Sequence, residues 1–372
     1  MKEYTNTFSV SHLSASSRSY LNPEALMLDI ETTGLSAAYH FIYCIGCSWV
    51  QEDFVTIKLF FAENEQEEPQ ILALFADLVK SFSEIITFNG TTFDLPFLRK
   101  RFSHHQMQDP MNEKCFPDLC REARKLKSFL GLSGCTQKAL EEFLGIYRKD
   151  PYSGKELIRI YQEYSKHPTR KIYDLLILHN YEDVKGMYDL LALLSYRDFT
   201  DGMFEITQTI PEKENEHWYM NFILAPAHPF PQSARLFRDN WQLLLNTDRA
   251  ILRLPVYHGI LRHYFRDYKN YYYLPEEHTV VHKSIGSYVD SDHRERAKKE
   301  NCFLEKDCVY LKADFPSDHN YYQQDFNDRN SYLELSGFHP EENPDFSLPK
   351  DQYADFCNFL MLFVKMNVFS KR

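Results

Sequence analysis

The sequence predicts an α/β domain over residues 1–198, built on a mixed sheet flanked by helices, followed by a β-rich accessory domain over 199–372 that closes on a helix. Three observations predict this. Apolar strand-like runs give way to helical periodicity through the first half. After about residue 200 the pattern changes to short alternating runs broken by Pro, Asn and Asp. The 372 residues, 44% of them hydrophobic, are enough for two cores, and the length favours that division.

Taken in order, ALMLDI (25–30) is an apolar run interrupted by one acid, which suits a buried strand. FIYCIGCSWV (41–50) and DFVTIKLFF (53–61) are rich in β-branched and aromatic residues and read as antiparallel partners. EEPQILALFADLVKSF (67–82) has acids at its start and apolar residues at helical spacing. EIITFNG (84–90) is a strand ending in an Asn-Gly turn signal, with the short helix DLPFLRKRF (94–102) behind it. CFPDL (115–119) is a candidate fifth strand, and helices follow over 121–131, 137–145, 155–166 and 171–194. The first twenty residues lack a continuous apolar run and are assigned no element.

In the second half FEITQTI, HWYMNFILA, NWQLLLNT and AILRLPVYHGILRHYF read as antiparallel strands. RDYKNYYYLPEEHTVVHKS (266–284) interleaves tyrosines with Arg266, Lys269 and Lys283, which suits either packing or a stacking platform for single-stranded bases. His278 and His282 have the i,i+4 spacing of a helical metal pair, but no third ligand joins them. The tail from about 312 is polar until the amphipathic run over 351–369.

Bulk properties exclude several classes. With 26% charged residues and no low-complexity tract, the chain is not disordered. A net charge of −11 argues against a general nucleic-acid coat protein and requires any nucleic-acid contact to use a local basic groove. No leader-like run opens the chain, and no segment approaches the ~18 apolar residues of a membrane span, so the expected location is the cytoplasm. The eight cysteines are then expected as thiols. Cys44 and Cys47, three apart on a strand, point to opposite faces and make a poor metal or redox pair.

Four acids stand in apolar surroundings. Asp29 and Glu31 in DIETTGL lie two apart on a strand and so face the same way. Paired carboxylates there repel each other and resist desolvation, and a divalent cation relieves both. Asp94 in FNGTTFDLPFL sits at the start of a helix, where capping and metal binding are compatible roles. Asp183 and His179 in HNYEDV fall on the apolar stripe of the last long helix, with Leu176 and Met187.

D-x-E-T-T-G-L, F-N-G-x-x-F-D-x-P-F-L and H-N-x-x-D-V together resemble the three exonuclease motifs of the DEDD (DnaQ-like) 3′→5′ exonuclease superfamily, which has an RNase H-like fold. More narrowly, with ALEEFLGIYRKDPYSGKELIRIYQEY, they resemble its YprB-like branch. The resemblance implies that Asp29, Glu31, Asp94 and Asp183 bind two Mg²⁺ or Mn²⁺ ions, with Asp29 bridging them. It implies that His179 is the general base and that the substrate is the 3′ end of a nucleic acid, DNA or RNA, single-stranded by expectation. His179 stands four residues before Asp183, where the family pattern has a His five before or a Tyr four before. Tyr181 is two residues from Asp183 and points away from it on a helix. Arg148-Lys149-Asp150 matches the family pattern without an assigned role, and Asp118 reads as a turn acid. Arg99, Lys100, Arg101 and the cations of REARKLK (121–127) are either substrate contacts or solvated faces. Two further readings share the fold: an inactive nucleic-acid-binding protein, and a structure-specific endonuclease.

Overall fold

A computed structural model describes residues 1–237, 240–313 and 321–369. The chain divides into two compact units, one of residues 1–197 with 228–232 and one of 198–227 with 233–372.

The first unit is built on a five-stranded sheet. Its strands are β1 (Lys2–Ser9), β2 (Ala25–Thr32), β3 (Ile42–Gln51), β4 (Phe54–Phe61) and β5 (Glu84–Ile86), in the spatial order β1-β4-β3-β2-β5. Only the β2–β5 pair is parallel. Segment 115–118, the candidate short fifth strand, adds two parallel bridges beyond β5, Glu84 to Cys115 and Thr87 to Asp118. Strand β1 corrects the reading of the first twenty residues. It pairs with β4 along its whole length, from Lys2 opposite Phe61 to Ser9 opposite Phe54. Tyr4 and Asn6 reach Tyr181, and Phe8 meets Tyr188 edge-on at 6.3 Å.

The helices are α1 (Ala15–Arg18), α2 (Glu68–Val79), α3 (Asp94–His104), α4 (Leu119–Leu130), α5 (Gln137–Phe143), α6 (Gly154–Lys166), α7 (Arg170–Leu190) and α8 (Leu194–Thr200). Local chemistry sets their ends. Asp118 accepts the Cys120 and Arg121 amides to open α4, and Gly131 closes it at φ 63°. Ser153 and Glu156 form a capping box on α6. Thr169 caps α7.

Period-2 alternation splits β2 between two faces. Leu26, Leu28 and Ile30 pack with Ile71, Leu72 and Phe75 of α2 and Leu98 and Phe102 of α3. Each such fully buried side chain contributes about 1.5–3 kcal/mol. The opposite face of the sheet lies under α7, with α6 beside it through Tyr161, which stacks on Tyr43 at 4.0 Å.

Arg101 is not available to substrate as the sequence reading allowed. It is buried at 2% exposure, and its Nε donates to Glu68 Oε1 at 2.9 Å. Glu68 also accepts the Ile42 amide and bonds His105, which ties α2, α3 and β3 together.

The second unit contains β6 (Phe204–Glu214), β7 (His217–Pro226), β8 (Ala234–Phe237), β9 (Gln242–Asn246), β10 (Arg249–Tyr264), β11 (Tyr271–Leu274), β12 (Thr279–His282), α9 (Lys283–Gly286), β13 (Glu295–Arg296), β14 (Phe303–Ala313), β15 (Ser331–Glu334) and α10 (Tyr353–Phe369). The main sheet runs β15-β14-β10-β7-β6, with β9 on β10 and β8 on β9. Strand β10 serves both halves: 250–255 pair with β7 and 256–264 with β14. The tyrosine-rich segment forms a small separate sheet, β12-β11-β13. There Tyr271 stacks on Phe265 at 4.9 Å, and Tyr272 lies beneath the Arg294 guanidinium. His278 sits in the hairpin turn at φ 49° and His282 caps α9, so the two histidines are not one turn apart on a helix. Within the polar tail, 314–320 lie outside the described residues.

Candidate active site

The site forms where β2, the start of α3 and the middle of α7 meet. Asp29 and Glu31 leave the β2 face that α7 covers. The strand carries a bulge between Glu31 and Thr32, which re-aims the chain at its end. Strand β5 pairs with β2 only as far as Met27, so the Ile30 amide has no ladder partner there. It donates instead to Asp94 Oδ1 at 3.0 Å. Asp94 is the first helical residue of α3, with Phe93 in the cap position, and its carboxylate anchors to β2 while also accepting its own amide.

Helix α7 presents His179, Asn180 and Asp183 to this face. Asn180 Nδ2 donates to Asp29 Oδ2 at 2.6 Å. That contact depends on Gly46, which lies opposite Asp29 in the β2–β3 register. A Cβ on Gly46 would come within 2.1 Å of Asn180 Oδ1 and 2.7 Å of Val184. His179 Nε2 stands 3.5 Å from Glu31 Oε1 and 3.1 Å from Asp183 Oδ2. Among the described residues, Glu31, His179 and Asp183 form a group with ligand atoms within 4.8 Å of one another. Asp29 and Asp94 fall outside that tight set, but both lie near enough to Asp183 for its charge to raise their proton affinity.

The electrostatics follow from burial. Desolvation, reinforced by Asp183, Asp94 and Glu31, pushes the Asp29 carboxyl well above its ordinary range. Desolvation also raises Glu31 to about 8 and Asp94 to about 7. Asp183 behaves oppositely: burial disfavours its charge, but His179 and Arg148 outweigh that and hold its pKa below normal. For His179, burial works against the imidazolium. Asp150, Asp183 and Glu31 more than offset it, and the pKa is pushed up to about 11.

Two partners here had no role in the sequence reading. Arg148 Nη1 donates to Asp183 Oδ1, and Nη2 donates to Glu141 Oε1 at 2.8 Å. His179 Nδ1 donates to Asp150 Oδ2 at 2.5 Å. The loop bearing both is pinned to α7, because Glu182 accepts the amides of Lys149 and Asp150 at 3.1 and 2.9 Å. The family-like Arg-Lys-Asp run was the one signal for them, since loop residues carry no periodicity that points inward.

Other candidates fall elsewhere. Asp118 takes the Asn89 and Thr91 amides and caps α4, a structural role. Asn89 occupies a left-handed turn at φ 63° and accepts from Arg124. Tyr181 faces β1. Arg99 pairs with Asp109 at 3.3 Å, and Lys100 is exposed. Cys44 faces Asn180 of α7, Cys47 joins the opposite core, and all eight cysteines are thiols.

The donor set fits a hard divalent cation. It is oxygen-rich and buried, and desolvation, with neighbouring carboxylates adding to it, holds three of its four acids at raised pKa. His179 and Arg148 supply part of the compensating positive charge from the protein, and a cation among the acids would supply the rest.

A family model described as RNase_H superfamily matches residues 26–195, the segment that holds every residue of the site. The first unit is thus an RNase H-like domain, and a strand-rich region follows it. No curated protein matches the chain. Solved structures with some likeness include the family B DNA polymerase from the hyperthermophilic archaeon Pyrobaculum calidifontis, with 13% identity, 66% of this chain and 35% of that one covered, and a TM-score of 0.35. E. coli exonuclease I in complex with a dA16 oligonucleotide gives 13% identity, 55% coverage of each chain and a TM-score of 0.28. The zinc-bound E. coli exonuclease I–single-stranded DNA complex gives 15% identity, 55% coverage of each chain and a TM-score of 0.27. The chain spans between about a third and just over half the length of these proteins. Such distant likenesses transfer neither activity nor substrate. Among the described residues, no helix is long and apolar enough to cross a membrane.

Proposed function

We propose that the RNase H-like unit is a divalent-metal-dependent 3′→5′ exonuclease of the DEDD type, YprB-like branch, acting on single-stranded DNA or RNA. One observation carries the reading: carboxylates from β2, α3 and α7 converge on a buried site beside a histidine whose Nε2 faces them. Asp29, Glu31, Asp94 and Asp183 would hold two ions, Mg²⁺ or Mn²⁺. When bound, these supply charge against the phosphate and acidify water. Asp150, Asp183 and Glu31 hold a proton on His179; cations neutralising Asp183 and Glu31 would lower its pKa and favour Nε2 as an acceptor. A water oxygen then bonds to phosphorus, its proton passes to His179 Nε2, and the bond from phosphorus to the 3′ oxygen breaks. That oxygen takes a proton from solvent, and a nucleoside 5′-monophosphate leaves. The eight thiols support a cytoplasmic location.

The test is digestion of 3′- and 5′-labelled single-stranded oligonucleotides, DNA and RNA, with Mn²⁺ or EDTA, beside Asp183→Ala. Mn²⁺-dependent release of mononucleotides from the 3′ end by the wild type, with at least 100-fold less from the variant, is expected. Cleavage of a circular single strand would instead identify an endonuclease. Oligonucleotide binding without cleavage would identify an inactive binding protein.

A further inference from the structure

Two of the α7 side chains that face the site, His179 and Asp183, are each held from behind by one segment, 141–150. His179 meets Asp150 through Nδ1, which leaves Nε2 turned to Glu31 and Asp183. Asp183 meets Arg148 through Oδ1, which leaves Oδ2 turned to His179. In both cases the outer atom is anchored and the inner atom faces the site.

The anchors are themselves fixed. The Arg148 guanidinium spans Glu141 and Asp183, and Glu141 is 1% exposed. Glu141 packs against Gly186 of α7, where a Cβ would come within 2.0 Å of its Oε1. Asp150, 4% exposed, also accepts from Lys138 Nζ at 3.2 Å and from the Tyr152 amide at 3.1 Å.

We infer that Arg148 and Asp150 are positioning residues of the proposed exonuclease, Arg148 setting the metal-binding carboxylate of Asp183 and Asp150 setting the imidazole of His179. This rests on the function proposed above. A planar fork bridging two carboxylates fixes orientation as well as charge, which a lysine cannot do. An imidazole bonded through Nδ1 to a carboxylate is confined to one ring orientation.

The rival role for Arg148 is that of a counter-ion alone, and the two roles predict opposite signs. The full chain carrying Arg148→Met or Arg148→Lys is titrated with Mn²⁺ by calorimetry. Positioning predicts that both substitutions weaken binding, by about 10–100-fold. Counter-ion action alone predicts tighter binding for Arg148→Met and unchanged binding for Arg148→Lys, and either result overturns the inference for Arg148. Should Arg148→Met unfold around a bare Glu141, the double substitution Glu141→Gln with Arg148→Met, read against Glu141→Gln alone, carries the same comparison. Asp150→Asn is expected to leave Mn²⁺ affinity within about 3-fold and KM unchanged while kcat falls about 10–100-fold. Asp150→Glu is expected to recover part of the lost kcat. Unchanged kcat in Asp150→Asn overturns its assignment. A wild type that binds Mn²⁺ but cuts nothing defeats the exonuclease reading and the Asp150 assignment with it. The Arg148 titration then still decides its own case.

Discussion

A carboxylate buried beside other carboxylates binds its proton more tightly in the folded protein than in the unfolded chain, and that fixes the sign of a pH dependence. Glu31 sits at about 8 and Asp94 at about 7, against roughly 4 in an unfolded chain. Between about pH 4.5 and 8 the folded state therefore holds more protons, and stability falls as pH rises. His179, raised to about 11, contributes fully below about 6.5 and loses that contribution as pH climbs toward 11, so it adds to the same trend. In EDTA, the melting temperature should drop steadily from pH 5.5 to 8.5, and Glu31→Gln should flatten the slope. A wild-type curve that rises over this interval would contradict the electrostatics described. The acids themselves were legible, because period 2 puts Asp29 with Glu31 and period 3.6 puts His179 with Asp183. Arg148 and Asp150 were not, since a loop residue's target depends on where the fold brings the loop.

Elements bring these side chains within reach only because two of them approach closely. Helix α7 crosses β3 at Gly46, and Asn180 fills the space a Cβ would take. Gly46→Ala should push Asn180 off Asp29, with an overpacking cost of about 1–3 kcal/mol in chemical denaturation and a loss of turnover beyond what that cost explains. An unchanged denaturation midpoint would mean that the helix moves freely over the sheet. A glycine within a strand-like run was visible in the sequence, but nothing there said what approached it. Strand β1 shows the same limit. Its Lys, Glu, Asn and Thr residues carry little apolar signal, and β4 together with Tyr181 and Tyr188 of α7 makes it a strand. Arg101 failed in the other direction. Three cations in a row looked like a solvent face, yet helical geometry turned one of them inward onto Glu68.

At the scale of the molecule, the chain does not pass once from one unit to the next. It leaves the first unit near residue 197, returns to it at 228–232, and leaves again. The return is anchored chemically: Phe230 stacks on Tyr196 at 5.1 Å, and the Tyr196 hydroxyl donates to the Gln232 carbonyl at 2.5 Å. The change of pattern near residue 200 was plain in the sequence because alternation replaced helical period there. A five-residue return has no period to betray it. Phe230 is fully buried, so Phe230→Ala should cost the first unit about 3–5 kcal/mol, although it lies some thirty residues past the apparent end of that unit. The three tryptophans make this separable, since Trp49 lies in the first unit and Trp218 and Trp241 in the second. In a chain carrying Trp218→Phe and Trp241→Phe, Trp49 fluorescence reports on the first unit alone. Adding Phe230→Ala should shift its urea midpoint to lower concentration. An unmoved midpoint would show that 228–232 rest on the first unit without supporting it, and that the stacked pair with Tyr196 adds nothing to its stability.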